Sequence, residues 1–595
     1  DRRRELDFWR DTVTVDEPPL GDRPFDPARD TNATVATVAT ALPTAVTETL
    51  LTTVPAAFHG TVDHALLTAL ALAVTAWRRG RGDTGTVVLL NVEGHGRDTD
   101  AVPGADLAAT VGWFTTIHPL RLDLTGIDLD DAFAAGPAAG RAVKTVKEHL
   151  AAVPDHGIGY GLLRYLHPDT AAALAPGATP QISFNYLGRP TAGADTTADT
   201  PWLPIPGFDR GGAQSPDMAA AAVVDINAVT VDTPDGPTLH VHFSYPTGLL
   251  DRGAVTALSH RFTDAATALA RHIRHPQAGG LTPTDLPLVR LDQDDIDGLE
   301  QRYGPLETVW PTAPLQTGLL FHALLAGPDP DAYIVQLVLD TRGTVEVPRL
   351  RRAMALLLER HPNLRAAFTA HPEHGYLQVV PSHVDVPFTV ADTTDDPDPQ
   401  AAATRLLDTD RRTRFDTATA PLLRVTVVHT APDRHLLALT NHHLLLDGWS
   451  TPVLLRELLV LYATDGDTTV LDRPRSYGTF LTWLTARDTA ASLAAYRHAL
   501  AGIDEPTLLA PEHRPERSAG ISEDLDLDLG AELSARLDAV AAARGVTVNT
   551  LVQTAWGLVL GALTGRTDVV FGATVSGRPP QLPGVETMIG LFINT

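Results

Sequence analysis

A chain of 595 residues with 44% hydrophobic side chains can bury several cores, about four compact units by length alone. Its formal net charge of −26 at pH 7 argues against nucleic acid as a partner, since phosphate-backbone binding draws on a basic face. The absence of cysteine excludes disulfides, thiolate metal ligands and a cysteine nucleophile. With no leader pattern and no apolar run of about 18 residues, no membrane span is predicted and a cytoplasmic location is expected.

In chain order, 61–77 reads as a buried helix, followed by the apolar strand 87–92 and then Asn91-Val92-Glu93-Gly94-His95-Gly96-Arg97. A carboxylate at the end of such a strand is costly to bury unless it is paired or has a task, so Glu93 is a candidate acid/base group. The plainer alternative is a glutamate satisfied by Arg97 or by backbone donors. Lys144 and Lys147 are the only lysines, and no function is assigned to them. Prolines at 204–206, 276–280 and 283–287 punctuate this part, and 292–303 is polar and acidic, which places an inter-domain linker at 286–306. Further on, 392–400 reads as a surface loop and 435–439 as a buried strand.

That strand leads into Asn441-His442-His443-Leu444-Leu445-Leu446-Asp447-Gly448-Trp449-Ser450, ahead of an amphipathic helix over 453–462. Adjacent residues in extended backbone face opposite ways, so His442 and His443 cannot share one cavity as a helical metal-binding pair does. One is expected to be chemical and the other supporting. A neutral imidazole can take a proton from an attacking amine or hydroxyl, whereas Asp447 is suited to fixing the loop through a buried ion pair or backbone hydrogen bonds. Two purely structural histidines are the alternative.

The two ends of the sequence share one design. Helix 547–563, strand 569–575, Gly577-Arg578 and Ile589-Gly590-Leu591-Phe592-Ile593 repeat helix 61–77, strand 87–92, Gly96-Arg97 and Val111-Gly112-Trp113-Phe114. The offset is 486 at the helix start (61 to 547), 481 at the Gly-Arg pair (96 to 577) and 478 at the glycine before the aromatic (112 to 590). Two copies of a unit of roughly 450 residues are implied, each of two lobes, out of phase and neither whole. In this alignment Glu93 falls on Thr574, so the shared scaffold does not require the acid.

His442-His443-x-x-x-Asp447-Gly448 resembles the signature of condensation domains of nonribosomal peptide synthetases, relatives of chloramphenicol acetyltransferase. Thr312-Ala313-Pro314-Leu315-Gln316 to His322, Arg360-His361-Pro362-Asn363-Leu364-Arg365, Tyr477-Gly478-Thr479-Phe480 and the terminal 589–595 resemble that family's other motifs, in family order. Glu93-Gly94-His95-Gly96-Arg97, Thr110-Val111-Gly112-Trp113-Phe114-Thr115, Pro154-Asp155-His156-Gly157-Ile158-Gly159-Tyr160-Gly161 and Phe184-Asn185-Tyr186-Leu187-Gly188 resemble the epimerization domain of the same synthetases. The resemblance implies a fragment: the C-terminal lobe of an epimerization domain over 1–285, then a condensation domain with its N-terminal lobe at 307–482 and a truncated C-terminal lobe at 483–595.

It further implies an α/β fold of chloramphenicol acetyltransferase-like two-layer sandwich lobes, arranged in a V. His443 would assist the acceptor amine, with His442 supporting. Asp447 would be structural and paired with Arg578, and Gly448 would let backbone approach the reacting centre. Glu93 would move the α-proton, with Asn185 and Tyr186 near the same cavity. Domain order implies a D-configured donor and an L-configured acceptor. Substrates would arrive on 4′-phosphopantetheine arms of carrier domains, with adenylation domains adjacent, so no cofactor or metal bound by the chain itself is expected. Because the His-His lobe of the first copy would precede residue 1, the fragment alone is not expected to epimerise. A free-standing coenzyme-A-dependent acyltransferase and a non-catalytic scaffolding module are the rival readings.

Overall fold

Strict alternation in Ile182-Ser183-Phe184-Asn185-Tyr186 and again in 224–230 builds a sheet with two unlike faces. The computed structural model describes residues 2–97, 104, 106–107, 109–175, 177–189, 214–325, 331–509 and 525–595; the prolines at 204–206 lie outside them. The strands are β1 (Val35–Ala41), β2 (Val87–Gly94), β3 (Thr116–Asp123), β4 (Ile182–Tyr186), β5 (Val224–Thr233) and β6 (Gly236–Pro246), in the spatial order β1-β6-β5-β4-β2-β3. The β2–β4 and β4–β5 pairs are parallel and the rest antiparallel. One face, carrying Leu90, Phe184, Ile226 and Phe243, is buried in the same core as helices Val62–Arg79, Pro137–Ala151 and Arg252–His272. The other presents Asn91, Ser183, Asp225, Ser244 and Thr37 in one row.

The motif Pro154-Asp155-His156-Gly157 serves this core. Asp155, His156 and Gly157 take φ of 41°, 51° and 82° in succession, and a Cβ on Gly157 would lie 2.1 Å from His118 Nδ1. His118 stands opposite Val92, hence on the core face, with Trp9 edge-on to its ring at 5.9 Å. The motif therefore packs the first helices onto β3, on the side of the sheet away from Glu93. The two lysines are also structural. Lys147 Nζ donates to the Phe58 carbonyl at 2.8 Å and to Asp285 Oδ2 at 2.5 Å, and Lys144 Nζ lies 2.8 Å from Asp297 Oδ1.

The chain divides into two compact units, Asp1–Asp285 with Asp292–Asp297, and Leu286–Leu291 with Gly298–Thr595. The acidic stretch expected to be linker forms the helix Gln293–Tyr303, with Ile296 fully buried, and the division falls inside it. In the second unit β7 (Leu306–Pro311), β10 (Gly375–Pro381) and β9 (Ala367–His371) form a three-stranded sheet in that order. A four-stranded sheet runs β11 (Phe388–Asp392), β12 (Leu423–Ala431), β13 (Arg434–His442), β8 (Ile334–Arg342), parallel only between β11 and β12. Helices Val347–Arg360 and Ser450–Ala463 pack on each other, and Leu444, Leu445 and Leu446 of the histidine loop enter the core.

The repeat is visible in detail at its Gly-Arg pairs. Gly96 and Gly577 have φ of 64° and 60°, and a Cβ on either would lie 1.7 Å from a carbonyl oxygen, that of Phe114 or of Phe592. Arg97 Nη1 donates to the carbonyls of Leu107 and Thr110, and Arg578 Nη1 to those of Val585 and Met588, each acceptor in the second copy 478 residues after its counterpart. Each guanidinium also lies over the repeated phenylalanine, at 4.5 Å from Phe114 and 3.9 Å from Phe592.

The strand predicted over 569–575 does not form; only the isolated bridge Val575 to Asn594 is present. Its counterpart β2 is held between β3 and β4, whereas among 576–595 only Asn594 pairs with it, too little to sustain a strand. Helix Val548–Thr564 correspondingly exposes Val552, Trp556, Leu558 and Leu563, where Val62–Arg79 is almost wholly buried. No single helix among the described residues is long and apolar enough to cross a membrane.

Burial, reinforced by the charge of His156, holds His118 down to about 4. Between that value and the ordinary 6.5 the unfolded chain binds the extra proton, so stability is full above pH 6.5 and falls as pH drops toward 4. The loss is about 3 kcal/mol at one pKa unit per 1.4 kcal/mol. Urea unfolding of His118→Gln between pH 7 and 4 is expected to lack this slope. Lys147→Met strands Asp285 without its cation and is expected to lower stability by about 3 kcal/mol in the same assay at pH 7.

Candidate functional site

β13 delivers the histidine pair. His442 is its last residue, paired with Ile334 of β8, and the chain then turns through 443–445. The two rings part as strand geometry requires. His442 is fully buried, its Nε2 3.1 Å from Asp331 Oδ2. His443 is half-buried, with Nδ1 enclosed and without a hydrogen-bond partner, so Nε2 is the nitrogen turned to accessible space. Its Nε2 is the one available to a reacting proton.

Asp447 is the hub beneath this turn. Its Oδ1 accepts from the Ser450 amide at 2.9 Å and from Arg578 Nη2 at 3.1 Å, and its Oδ2 accepts from the Phe592 amide at 3.1 Å. The Ser450 hydroxyl sits 2.8 Å from both Asp447 Oδ1 and the Gly590 carbonyl, and accepts from the Gly590 amide at 3.0 Å. The Asp447 and Arg578 side chains are 0% and 4% exposed, so their charges are neutralised by one another and by these bonds rather than by water. Burial pulls the Arg578 guanidinium below the usual arginine range, opposed by Asp447. Burial likewise pushes the Tyr477 phenol up, with Asp447 adding to the effect.

Each of the other sequence motifs sends one bond into this loop or its partner segment. Gln316 Nε2 donates to the Leu444 carbonyl at 2.9 Å, and Asn363 Nδ2 to that of Leu445 at 3.3 Å. The Tyr477 hydroxyl donates to the Leu591 carbonyl at 2.7 Å. At Gly448 a Cβ would meet nothing within 4 Å and φ is not positive, so the space beside it is open. Ser450, Gln316, Asn363 and Asp331 were not singled out as site residues from the sequence.

In the first unit Glu93 is on the polar face of the sheet, two residues beyond Asn91 on β2 and thus level with Asn185 of the parallel β4. Asn185 pairs in register with Asn227, and Asp225 lies one row back with Ser183. Burial and then the charge of Asp225 push the Glu93 carboxyl above its ordinary range. Burial also raises Asp225, opposed by hydrogen bonds from Asn227, at 2.9 Å, and Ser183. Arg97 does not satisfy Glu93, since it is committed to the 107 and 110 carbonyls, and among the described residues no hydrogen bond or ion pair reaches the Glu93 carboxylate. Tyr186 is not brought to this face. As the neighbour of Asn185 on a strand it points to the core side, its hydroxyl 3.0 Å from Thr230 Oγ1. Asp225 was missed, although alternation in Val224-Asp225-Ile226-Asn227 marks it as the acid on the non-core phase. Among the described residues no group of three or more His, Asp or Glu is arranged to hold a metal ion.

Two related α/β units, each closed by the same Gly-Arg bracket, define a tandem of one domain type. The condensation-domain family model matches residues 1–285 and 306–595, and the chain belongs to that family. It is similar to two components of the linear gramicidin synthase of Brevibacillus parabrevis, with 34% identity over 608 residues to one and 35% over 605 residues to the other. It is 33% identical over 652 residues to chondramide synthase cmdD of Chondromyces crocatus. All of this chain is matched in each case, but only 8%, 11% and 16% of those proteins. Among solved structures, the epimerization domain from the third module of tyrocidine synthetase B aligns over 46% of this chain and 56% of that one, with 28% identity and a TM-score of 0.38. Family membership rests on the sequence matches.

Asp447→Ala leaves Arg578 buried without its counter-charge. A loss of about 3 to 5 kcal/mol is expected in urea unfolding of the second unit, against less than about 1 kcal/mol for Gly448→Ala, which meets open space.

Proposed function

We propose that the chain serves a multimodular nonribosomal peptide synthetase in the cytoplasm, its second unit forming peptide bonds and its first changing the configuration of the donor residue. The observation that carries the reading is His443, held on a rigidly bonded turn with one ring nitrogen enclosed and the other open. In condensation the acceptor amine attacks the donor thioester carbonyl; a C–N bond forms, the C–S bond breaks, and the amine proton must leave. His443 Nε2 orients the amine and receives that proton, while His442 and the Asp447–Arg578 pair hold the turn. The substrates are aminoacyl or peptidyl thioesters on the 4′-phosphopantetheine arms of carrier domains, charged by adjacent adenylation domains. The donor is D-configured and the acceptor L-configured.

In the first unit Glu93 takes or returns the α-proton of the thioester, and Asn185 and Asn227 lie on the same face to meet the enolate oxygen. Burial and the charge of Asp225 shift this carboxyl upward, the direction that favours a group that must hold a proton as well as release it. Residues 1–285 contain no His-His-x-x-x-Asp sequence, so no residue is assigned to the opposite face of the α-carbon.

The test uses the intact synthetase with chemically loaded donors. With a D-configured donor supplied, His443→Ala is expected to slow dipeptide formation about 10² to 10⁴-fold and Glu93→Ala to leave it within about twofold. With an L-configured donor and no acceptor, chiral chromatography is expected to show Glu93→Ala losing D-product by a similar factor. Parental rates of configuration change in Glu93→Ala would remove the first unit's assignment.

A further inference from the structure

The turn carrying His443 is also held from a side that the recognised motifs do not mark. Asp331 lies three residues before β8 begins, its side chain 2% exposed. Its Oδ2 is 3.1 Å from His442 Nε2, and its Oδ1 accepts the Tyr333 amide at 2.9 Å. His442 uses its other nitrogen as an acceptor, since the Leu444 amide donates to Nδ1 at 3.1 Å. A ring nitrogen that accepts from an amide carries no proton, so the ring is neutral with its proton on Nε2, facing the Asp331 carboxylate. The same short segment takes the first amide of the turn: the His443 N–H donates to the Tyr333 carbonyl at 2.8 Å. The backbone of His443 is thus fixed on one side by its own amide to Tyr333 and on the other by the next amide to His442.

We propose that Asp331 is a positioning residue for His443: by accepting the Nε2 proton of His442 it holds that ring in the orientation whose Nδ1 takes the Leu444 amide, and so sets the backbone on which His443 is mounted. The inference rests on the assignment of His443 to the condensation centre. Without an acceptor at 331 the buried Nε2–H is left unsatisfied, and the ring relieves this by rotating toward another acceptor, which takes Nδ1 off the Leu444 amide and costs the turn the bond that orients it. The arrangement parallels the way a buried carboxylate orients an imidazole in hydrolytic triads, with the difference that the reactive ring is the neighbour of the ring so held.

Substitutions at 331 separate this role from simple packing. Asn keeps an acceptor oxygen at the same reach, and Leu keeps the volume without one. In the intact synthetase given a D-configured loaded donor, Asp331→Leu is expected to lower kcat about ten- to a hundredfold with KM within about twofold, and Asp331→Asn to stay within about threefold of the parent. Asp331→Leu added to His442→Ala is expected to cause no further loss, since the carboxylate acts only through that ring. On the 595-residue chain, the Leu444 amide is expected to be protected from hydrogen–deuterium exchange in the parent and in Asp331→Asn and to lose that protection in Asp331→Leu. If the Leu variant does not fold, Asp331→Ser, too short to reach Nε2, is read by the same measures. Retention of the Leu444 protection in Asp331→Leu, an unchanged rate despite its loss, or rate losses that multiply with His442→Ala would each overturn the proposal. A parent that forms no dipeptide counts against the His443 assignment instead, and the exchange readout still decides whether Asp331 controls His442.

Discussion

A buried carboxylate with four donors is the constraint on which the second unit depends. Asp447 cannot leave water without compensation, and what compensates it comes from two stretches of chain: Ser450 beside it, and Arg578 and the Phe592 amide more than a hundred residues on. Satisfying the charge therefore ties the 590–592 segment to the histidine turn. Gln316, Asn363 and Tyr477 then use up carbonyls that the tie leaves exposed in a dry interior. Motifs that look independent along the sequence are parts of one hydrogen-bonded scaffold, and its product is a single imidazole with one open nitrogen.

The two copies show one scaffold with different surroundings. Arg97 and Arg578 make the same bracket around the loop that follows them, with the same phenylalanine beneath the guanidinium. Only Arg578 adds a bond from Nη2 to a carboxylate of a histidine turn; residues 1–285 contain no His-His-x-x-x-Asp sequence. In the second copy the repeated segment is buried, with Ile589, Leu591 and Phe592 at 1–2% exposure, whereas in the first Val111 and Trp113 stand at 100% and 92%. Glu93 stands where the second copy has Thr574, and it is the residue to which the proposed α-proton transfer is assigned.

Much of this was legible because it is local. The His-His pair, Asp447 and the phase of helices 62–79 and 548–564 follow from spacing, and the need of a buried aspartate for a cation led to Arg578. The faces of the first sheet were legible too, yet Tyr186 was grouped with Asn185 although strand parity sends neighbours to opposite sides, the rule that separated His442 from His443. Asp331, by contrast, lies 111 residues from its histidine with nothing in its own neighbourhood to mark it. Strand 569–575 has the composition of a strand, but pairing, not composition, makes a strand, and Asn594 alone does not supply it. Lys144 and Lys147, the least expected residue type in a core, were left without a role because their carboxylate partners are 153 and 138 residues away.

If the Asp447 carboxylate is the constraint that joins the histidine turn to the 590–592 segment, the two must loosen together when its charge is removed. Hydrogen–deuterium exchange of the folded chain reads this directly through the amides of Asp447, Ser450, Gly590 and Phe592, all of which are bonded within the tie. In Asp447→Asn both segments are expected to exchange at least about tenfold faster than in the parent while β12 and β13 keep their protection. Unchanged protection of the Phe592 and Gly590 amides in that variant would contradict the account.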